Sequence, residues 1–249
     1  MSEFHSEQQI NKSPWHFLQL PWTWRDIVGA IVLGVVAVLG LLLFLLLGLV
    51  FYQKAMGISR PSQPLAFLTV LAEAGLLLPV WLFGVRKYRL SWREIGLRQF
   101  DLSRSFGLGC IFLLISFAVN FTWALFLSLF TLRVQPDVLP AFGKGIAGLI
   151  LALLAGGVVA PIVEEIFFRG CLFAGLYRLV GLRRAAVLSA ALFALVHVLP
   201  TSWPPIFVLG LLLALLYEQT GSIWPAVIVH STMNTLAFLA SYLAQWITG

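Results

Sequence analysis

Glu164 and Glu165 stand side by side in Val163-Glu164-Glu165-Ile166-Phe167-Phe168-Arg169, inside one of the most apolar stretches of the chain. A carboxylate at the centre of a bilayer costs roughly 2.5–3.5 kcal/mol on insertion scales. Two neighbours therefore need a partner, a proton or a water-filled pocket. Arg169 follows Glu165 by four residues, one helical turn on the same face, and can neutralise it. Adjacent helical positions diverge by about 100°, so Glu164 faces elsewhere. That division gives Glu164 to chemistry and Glu165 to structure or the positioning of water. Further along, His197 lies one turn after Phe193, and His230 and Asn234 share a face four residues apart. Together these groups suit amide hydrolysis. Glu164 can serve as the base, and His230 with Asn234 can supply preformed donors to an oxyanion. Such a donor is worth about 3–4 kcal/mol where water is excluded.

A metal reading uses nearly the same residues, because Glu164, His197 and His230 could hold Zn²⁺ with one position left for water. No His-Glu-x-x-His helix is present, and Asn234 would be a poor zinc ligand. The metal-free reading is therefore preferred, with no cofactor and zinc as the alternative.

The elements that must carry these side chains are transmembrane helices. The 249 residues are 60% hydrophobic and 10% charged, which excludes a soluble globule and a disordered chain. The fold class is all-α, a polytopic helical bundle of about seven to eight spans. Residues 1–26 form a polar cytoplasmic lead and 27–249 a single membrane domain. Expected spans are Ile27–Tyr52, Pro64–Val85, Ser105–Leu132, Gly145–Tyr177, Arg184–Leu199, Pro205–Gln219 and Ile223–Trp246. The first is too long for a signal-peptide core. The fourth exceeds a bilayer crossing and should project or break near Gly170. The fifth and sixth are short, joined by a Pro-rich turn.

The formal charge of +6 fits basic cytoplasmic loops rather than nucleic-acid binding. Arg86, Lys87, Arg89, Arg93, Arg98 and Arg104 lie in one linker; Arg178, Arg183 and Arg184 lie in another on the same side. Lys54, Arg60, Arg133 and Lys144 are opposite. The positive-inside rule then places the N-terminus in the cytoplasm of a plasma-membrane protein. The Arg86–Arg104 linker reads as an interfacial amphipathic helix or a solvated connector. Trp22, Trp24, Trp81, Trp203, Trp224 and Trp246 read as interface anchors. Cys110 and Cys171 read as packing residues, Asn120 and Glu218 as structural. Glu73 has no partner in its own span. Counting 1.5 Å per residue, the polar groups could meet in a cavity between mid-membrane and the cytoplasm.

Glu-Glu-x-x-x-Arg at 164–169, Phe-x-x-x-His at 193–197 and His-x-x-x-Asn at 230–234, in that order on successive helices, resemble the CPBP family. That family comprises CAAX-type prenyl proteases and bacteriocin-processing or Abi-type intramembrane peptidases. The resemblance covers roughly residues 143–238. It implies a helical fold whose cavity opens toward the cytosol, with Glu164 and His197 activating water. It further implies His230 and Asn234 on the oxyanion and Glu165, Arg169 and Phe193 in support. The expected activity is an intramembrane endopeptidase, glutamate-type or metallo-type, acting on membrane-associated or prenylated CAAX-type substrates. Its partners would be a hydrophobic or lipidated peptide and the bilayer. Two rivals use the same polar groups: a non-enzymatic scaffold or bacteriocin-immunity protein of this fold, and a proton-coupled transporter. Transporters of that kind show paired repeats in both halves, whereas here the polar residues crowd into the second half.

Overall fold

In the computed structural model, residues 20–57, 65–134, 137–197 and 199–248 are described. Most of the N-terminal lead, with Arg60 and Pro64, lies outside them. The described residues form helices and contain no strand. The long helices are α1 (Trp24–Ala55), α2 (Ala66–Arg86), α3 (Leu102–Ser128), α4 (Gly145–Val180), α5 (Leu182–Leu195), α6 (Trp203–Thr220) and α7 (Trp224–Thr248). Each of the seven expected spans coincides with one of them.

Among the described residues, six stretches are long and apolar enough to cross a membrane. The exception is α5, whose 14 residues reach only about 21 Å. A 30 Å hydrocarbon layer is not bridged by that length. The 3-10 turn Pro200–Ser202 precedes α6. Gly210 of α6 lies so close to Ala190 of α5 that a Cβ there would meet its Cα at 3.1 Å. Small residues at such crossings let backbones approach, which is how helices pack in lipid.

Side-chain caps set the starts of α1 and α3. Thr23 and Asp26 form a capping box at α1, and the Asp101 carboxylate accepts from the Arg104 N–H at α3. Asp26 also binds Lys87 and the Tyr88 hydroxyl, tying α1 to the end of α2. Beyond this cap α1 buries only Ile27, Ala30 and Gly34. The rest of its surface is the exposed apolar face expected against lipid.

The end of the bundle that holds the 87–101 linker also holds the start of α1 and the α6–α7 turn. Ile223 N–H donates to the Gly96 carbonyl (3.0 Å), and Ser222 Oγ to that of Arg98 (2.6 Å). At the other end, Trp123 donates to the Thr201 carbonyl and Thr201 to that of Val134, each at 2.7 Å. Asp137 there accepts from Ser241 and Gln245 of α7.

Of the two readings of the 86–104 linker, the connector is the one found: it forms a turn rather than an amphipathic helix, and most of its residues are exposed. Ser91 and Glu94 cap a turn through two 2.7 Å bonds to the Glu94 carboxylate, and Ile95 is driven into the bundle at 1% exposure. Of the two outcomes expected for α4, the break near Gly170 is not found, and the helix continues through 36 residues to Val180. It widens into π-helical turns at Ala155–Val159 and Phe168–Phe173, and Gly170 gives the linker room, since a Cβ there would stand 2.5 Å from the Ile95 carbonyl oxygen. Trp22 is not at the lipid interface; it is buried against Gly175 and Phe83.

Candidate active site

Glu164 and Glu165 occupy the α-helical piece Ala160–Phe167, between the two π-helical stretches. Such stretches recur at functional sites because they free backbone carbonyls and re-aim side chains. Glu165 and Arg169 are both fully buried, and Arg169 Nη1 donates to Glu165 Oε1 at 2.7 Å. The guanidinium also donates through Nη2 to the Gly210 carbonyl of α6 (3.2 Å) and lies 4.4 Å over the Phe193 ring of α5. The expected pair is thus present, and it holds three helices together.

His230 of α7 places Nδ1 3.0 Å from Glu165 Oε1. An ionised carboxylate only accepts, so the proton belongs on Nδ1. Nε2 is then turned toward Glu164, 3.8 Å from its Oε2. That separation is too long for a hydrogen bond. Glu164 Oε2 is buried without a hydrogen-bond partner among the described residues. The two neighbouring carboxylates therefore divide as expected: Glu165 is committed to Arg169 and His230, and Glu164 is left open.

His197 is positioned by the end of α5. The last turn of a helix leaves carbonyls without partners. His197 N–H bonds Ala194, and the Phe193 carbonyl takes the His197 ring nitrogen Nδ1 at 2.8 Å. A carbonyl only accepts, so Nδ1 carries hydrogen and Nε2 presents a lone pair. Trp203 Nε1 donates to the His197 carbonyl at 2.6 Å, fixing the backbone as well. Its indole is thus a positioning group, not merely an interface anchor. The Phe193 ring packs edge-on against both histidines, with centroids at 5.1 and 5.5 Å. The supporting place expected for Phe193 has this physical content.

Asn234 donates one amide hydrogen to the Gly156 carbonyl at 2.9 Å, a group in the first π-helical stretch. Gly156 allows the contact: a Cβ would lie 2.8 Å from Phe238 of α7. The second Asn234 amide hydrogen has no partner in that bond.

Glu164, His197 and Asn234 line one cavity of about 790 Å³ together with Glu73. His197, His230 and Asn234 line a second, of about 220 Å³. A third, of about 340 Å³, joins Glu164, His197 and Glu73 to an apolar groove along α1 that includes Val35, Val38 and Leu39. The four residues singled out from three helices thus surround adjoining spaces. Glu73 is the addition. The sequence marks it as an unpaired acid in a span but has no signal for which helix it faces. Asn120 also lines the second space, while its amide donates to Ser116 of its own helix.

The cavity of about 790 Å³ extends away from the Arg-rich linker, while the cavity along α1 continues past Phe168 and Leu172. The former runs past Phe142, Phe238 and Ser241 to Arg133, Asp137 and Gln245 at the opposite end.

His197 and His230 each hold Nδ1 on an oxygen, of Phe193 and Glu165, and leave Nε2 toward the site, an orientation that serves an acid–base role or a metal ligand alike. Among the described residues no three His, Cys, Asp or Glu side chains gather closely enough to hold a metal ion.

This part of the chain is where known proteins match. Residues 146–236 match the family model described as "Type II CAAX prenyl endopeptidase Rce1-like". The matched segment takes in all of Glu164, Glu165, Arg169, Phe193, His197, His230 and Asn234. This segment is thus similar to the CPBP/Rce1-like proteins. A Bacillus subtilis (strain 168) protein named "Putative membrane peptidase YdiL" is 32% identical over 89 residues. That match covers 36% of this chain and 36% of the relative, so the chain spans about a third of the length of the protein it matches. No solved structure matches significantly.

Proposed function

We propose that this protein is an intramembrane endopeptidase whose water is activated by Glu164 and His197. One observation carries the reading. Glu164, His197, His230 and Asn234, from three helices, surround adjoining cavities next to an apolar groove.

Each group has a role its contacts permit. The water oxygen attacks the scissile carbonyl carbon, and its proton passes to Glu164 or to the lone pair of His197 Nε2. The carbonyl oxygen becomes an oxyanion that accepts from the second amide hydrogen of Asn234. His230 Nε2 is a second donor when its ring carries both protons. The C–N bond then breaks, and the proton held by the acid–base pair goes to the leaving amine. Glu165 and Arg169 keep His230 aimed, and Phe193 keeps both imidazoles in place. The groove along α1 suits an apolar substrate segment or a lipid chain, in line with the CAAX-type activity named for the family. The reaction runs on the protein's own groups.

The test is purified protein in lipid vesicles, incubated with prenylated and unprenylated apolar peptides, with and without chelator, and products read by mass spectrometry. Cleavage that survives chelation is expected. Folded protein that cleaves none of the panel contradicts the activity, and cleavage abolished by chelator and restored by Zn²⁺ contradicts the mechanism.

A further inference from the structure

Glu73 of α2 is a half-buried acid that the reaction proposed above leaves unused. The α-helical turns of α2 end at Glu73, and the 3-10 turn Ala74–Leu76 follows. That change of pitch lies where α1 crosses, since a Cβ on Gly75 would stand 2.8 Å from the Ala37 carbonyl carbon. The same 3-10 turn packs on the Ala160–Phe167 piece that carries Glu164. The backbone next to Glu73 is thus pinned between α1 and α4. Its side chain lines the cavities, and Oε2 is buried there without a hydrogen-bond partner among the described residues.

Three residues line both the apolar groove along α1 and the cavity of about 790 Å³: Glu73, Glu164 and His197. The two spaces meet at them. Arg169 is committed to Glu165 and to the Gly210 carbonyl. Among the described residues lining these two spaces the sole Lys or Arg is Arg133, exposed at the far end. Two carboxylates that face one such space without a cation repel, and the pair keeps a proton on one of them. Glu164 has imidazoles for neighbours, with His230 Nε2 at 3.8 Å and His197 on the same lining. Glu73 has Ala66, Val70 and Leu76 of its own helix beside it along the lining, and the Thr69 hydroxyl is spent on the Ala66 carbonyl. The proton therefore belongs on Glu73, which leaves Glu164 ionised to act as the base.

We propose that Glu73 is a second catalytic carboxyl, the acid that protonates the leaving amine while Glu164 serves as the base; the role rests on the peptidase reading above. The water oxygen bonds the carbonyl carbon as its proton goes to Glu164. When the C–N bond breaks, nitrogen keeps the electron pair and takes the proton of Glu73. Glu73 is then the carboxylate and Glu164 the acid. A proton crossing the shared space through water restores both for the next turnover. The net transfer, from water to amine, stays that of the peptidase reading, and two carboxyls divide it. Attacking oxygen and leaving nitrogen stand on different sides of the carbon, so two groups at one junction serve them without either having to move.

The leaving group separates this role from a structural one. The full chain in lipid vesicles is given one apolar acyl segment in two forms, as an amide-linked peptide and as its 4-nitrophenyl ester. An amine must be protonated to leave, whereas 4-nitrophenolate leaves as the anion. Glu73→Gln keeps the shape of the side chain and has no acidic proton. The expected result is a kcat for the amide at least about a hundredfold lower in Glu73→Gln, with the ester cleaved near the wild-type rate, which also shows the variant folded. Glu164→Gln should lose both substrates, and Glu73→Asp, which keeps an acid, should recover part of the amide rate. Amide cleavage by Glu73→Gln at the wild-type rate overturns the assignment. Equal loss on both substrates in Glu73→Gln and Glu73→Asp alike overturns it too, and gives Glu73 to structure. In both of those cases wild-type cleavage and its dependence on Glu164 remain. Wild-type protein that cleaves neither substrate ends the peptidase reading itself, and this role with it.

Discussion

Replacing Arg169 by leucine removes the cation from a 2.7 Å pair in which both partners are fully buried. It also removes the hydrogen bond to the Gly210 carbonyl and the stack on Phe193. Breaking a buried pair by deleting one partner costs about 3–5 kcal/mol, chiefly because a carboxylate is left buried without compensation. His230 remains near Glu165 but is the weaker neighbour, at 3.0 Å. At 1.4 kcal/mol per factor of ten, the folded-to-unfolded ratio should fall by roughly 10² to 4 × 10³. Unfolding in mixed detergent micelles, followed by tryptophan fluorescence, reads this directly. The double variant Glu165→Leu/Arg169→Leu removes both charges and fills the space with apolar volume. It should be much closer to wild type in stability, a large non-additivity for residues in contact, while peptide cleavage is lost because His230 is no longer held. A double variant as unstable as the sum of the two single ones would refute the claim that uncompensated charge dominates at this position.

Asn234→Ala should lower kcat by about 10²–10³ if its free amide hydrogen meets the oxyanion; an unchanged kcat in the vesicle assay assigns Asn234 to helix packing alone. Gly170→Ala places a Cβ 2.5 Å from the Ile95 carbonyl oxygen, and overpacking of that kind costs about 1–3 kcal/mol. It should displace the linker and speed tryptic cleavage after Arg93 and Arg98, whereas unaltered digestion would show that the linker is not seated there. The turn at 91–96 should also respond to acid. The backbone N–H and hydroxyl of Ser91 hold the Glu94 carboxyl below the ordinary glutamate range. A group with a lowered folded pKa stabilises above its unfolded value, about 4.3, and that support is lost as pH falls through the folded value. Hydrogen-exchange protection of the Ile95 amide should therefore drop below about pH 4, and protection that rises or holds steady contradicts the assignment.

Much of the fold could be read from local patterns, for specific reasons. Apolar runs of bilayer length gave the helices because the lipid requires all backbone groups to be satisfied within each span. Glu165 and Arg169 were paired by their spacing, an intrahelical relation that needs no tertiary knowledge. Long-range relations were not legible. Nothing local marks Ile95 as a plug, because its partner is a glycine 75 positions later whose only signal is the lack of a side chain. Glu73 reads as an unpaired acid until α2 is packed beside α4. Trp203 and Trp22 share the span-end signature of interface anchors, yet one bonds the His197 carbonyl and the other is enclosed. The π-helical turns of α4 have no sequence periodicity of their own, and they decide which carbonyl meets Asn234. Counting residues gives depth along each helix but not which side chains line a shared cavity.

The most direct measurement compares wild-type protein with Glu164→Gln, purified and equally stable by unfolding, on one apolar peptide in vesicles, with the cleavage rate followed by mass spectrometry. The carboxamide keeps the shape of the side chain and cannot take a proton from water. A general base contributes about 10²–10⁴-fold, so the rate should fall at least a hundredfold with the fold intact. Cleavage by the folded variant at the wild-type rate would contradict the assignment of Glu164 to the reaction.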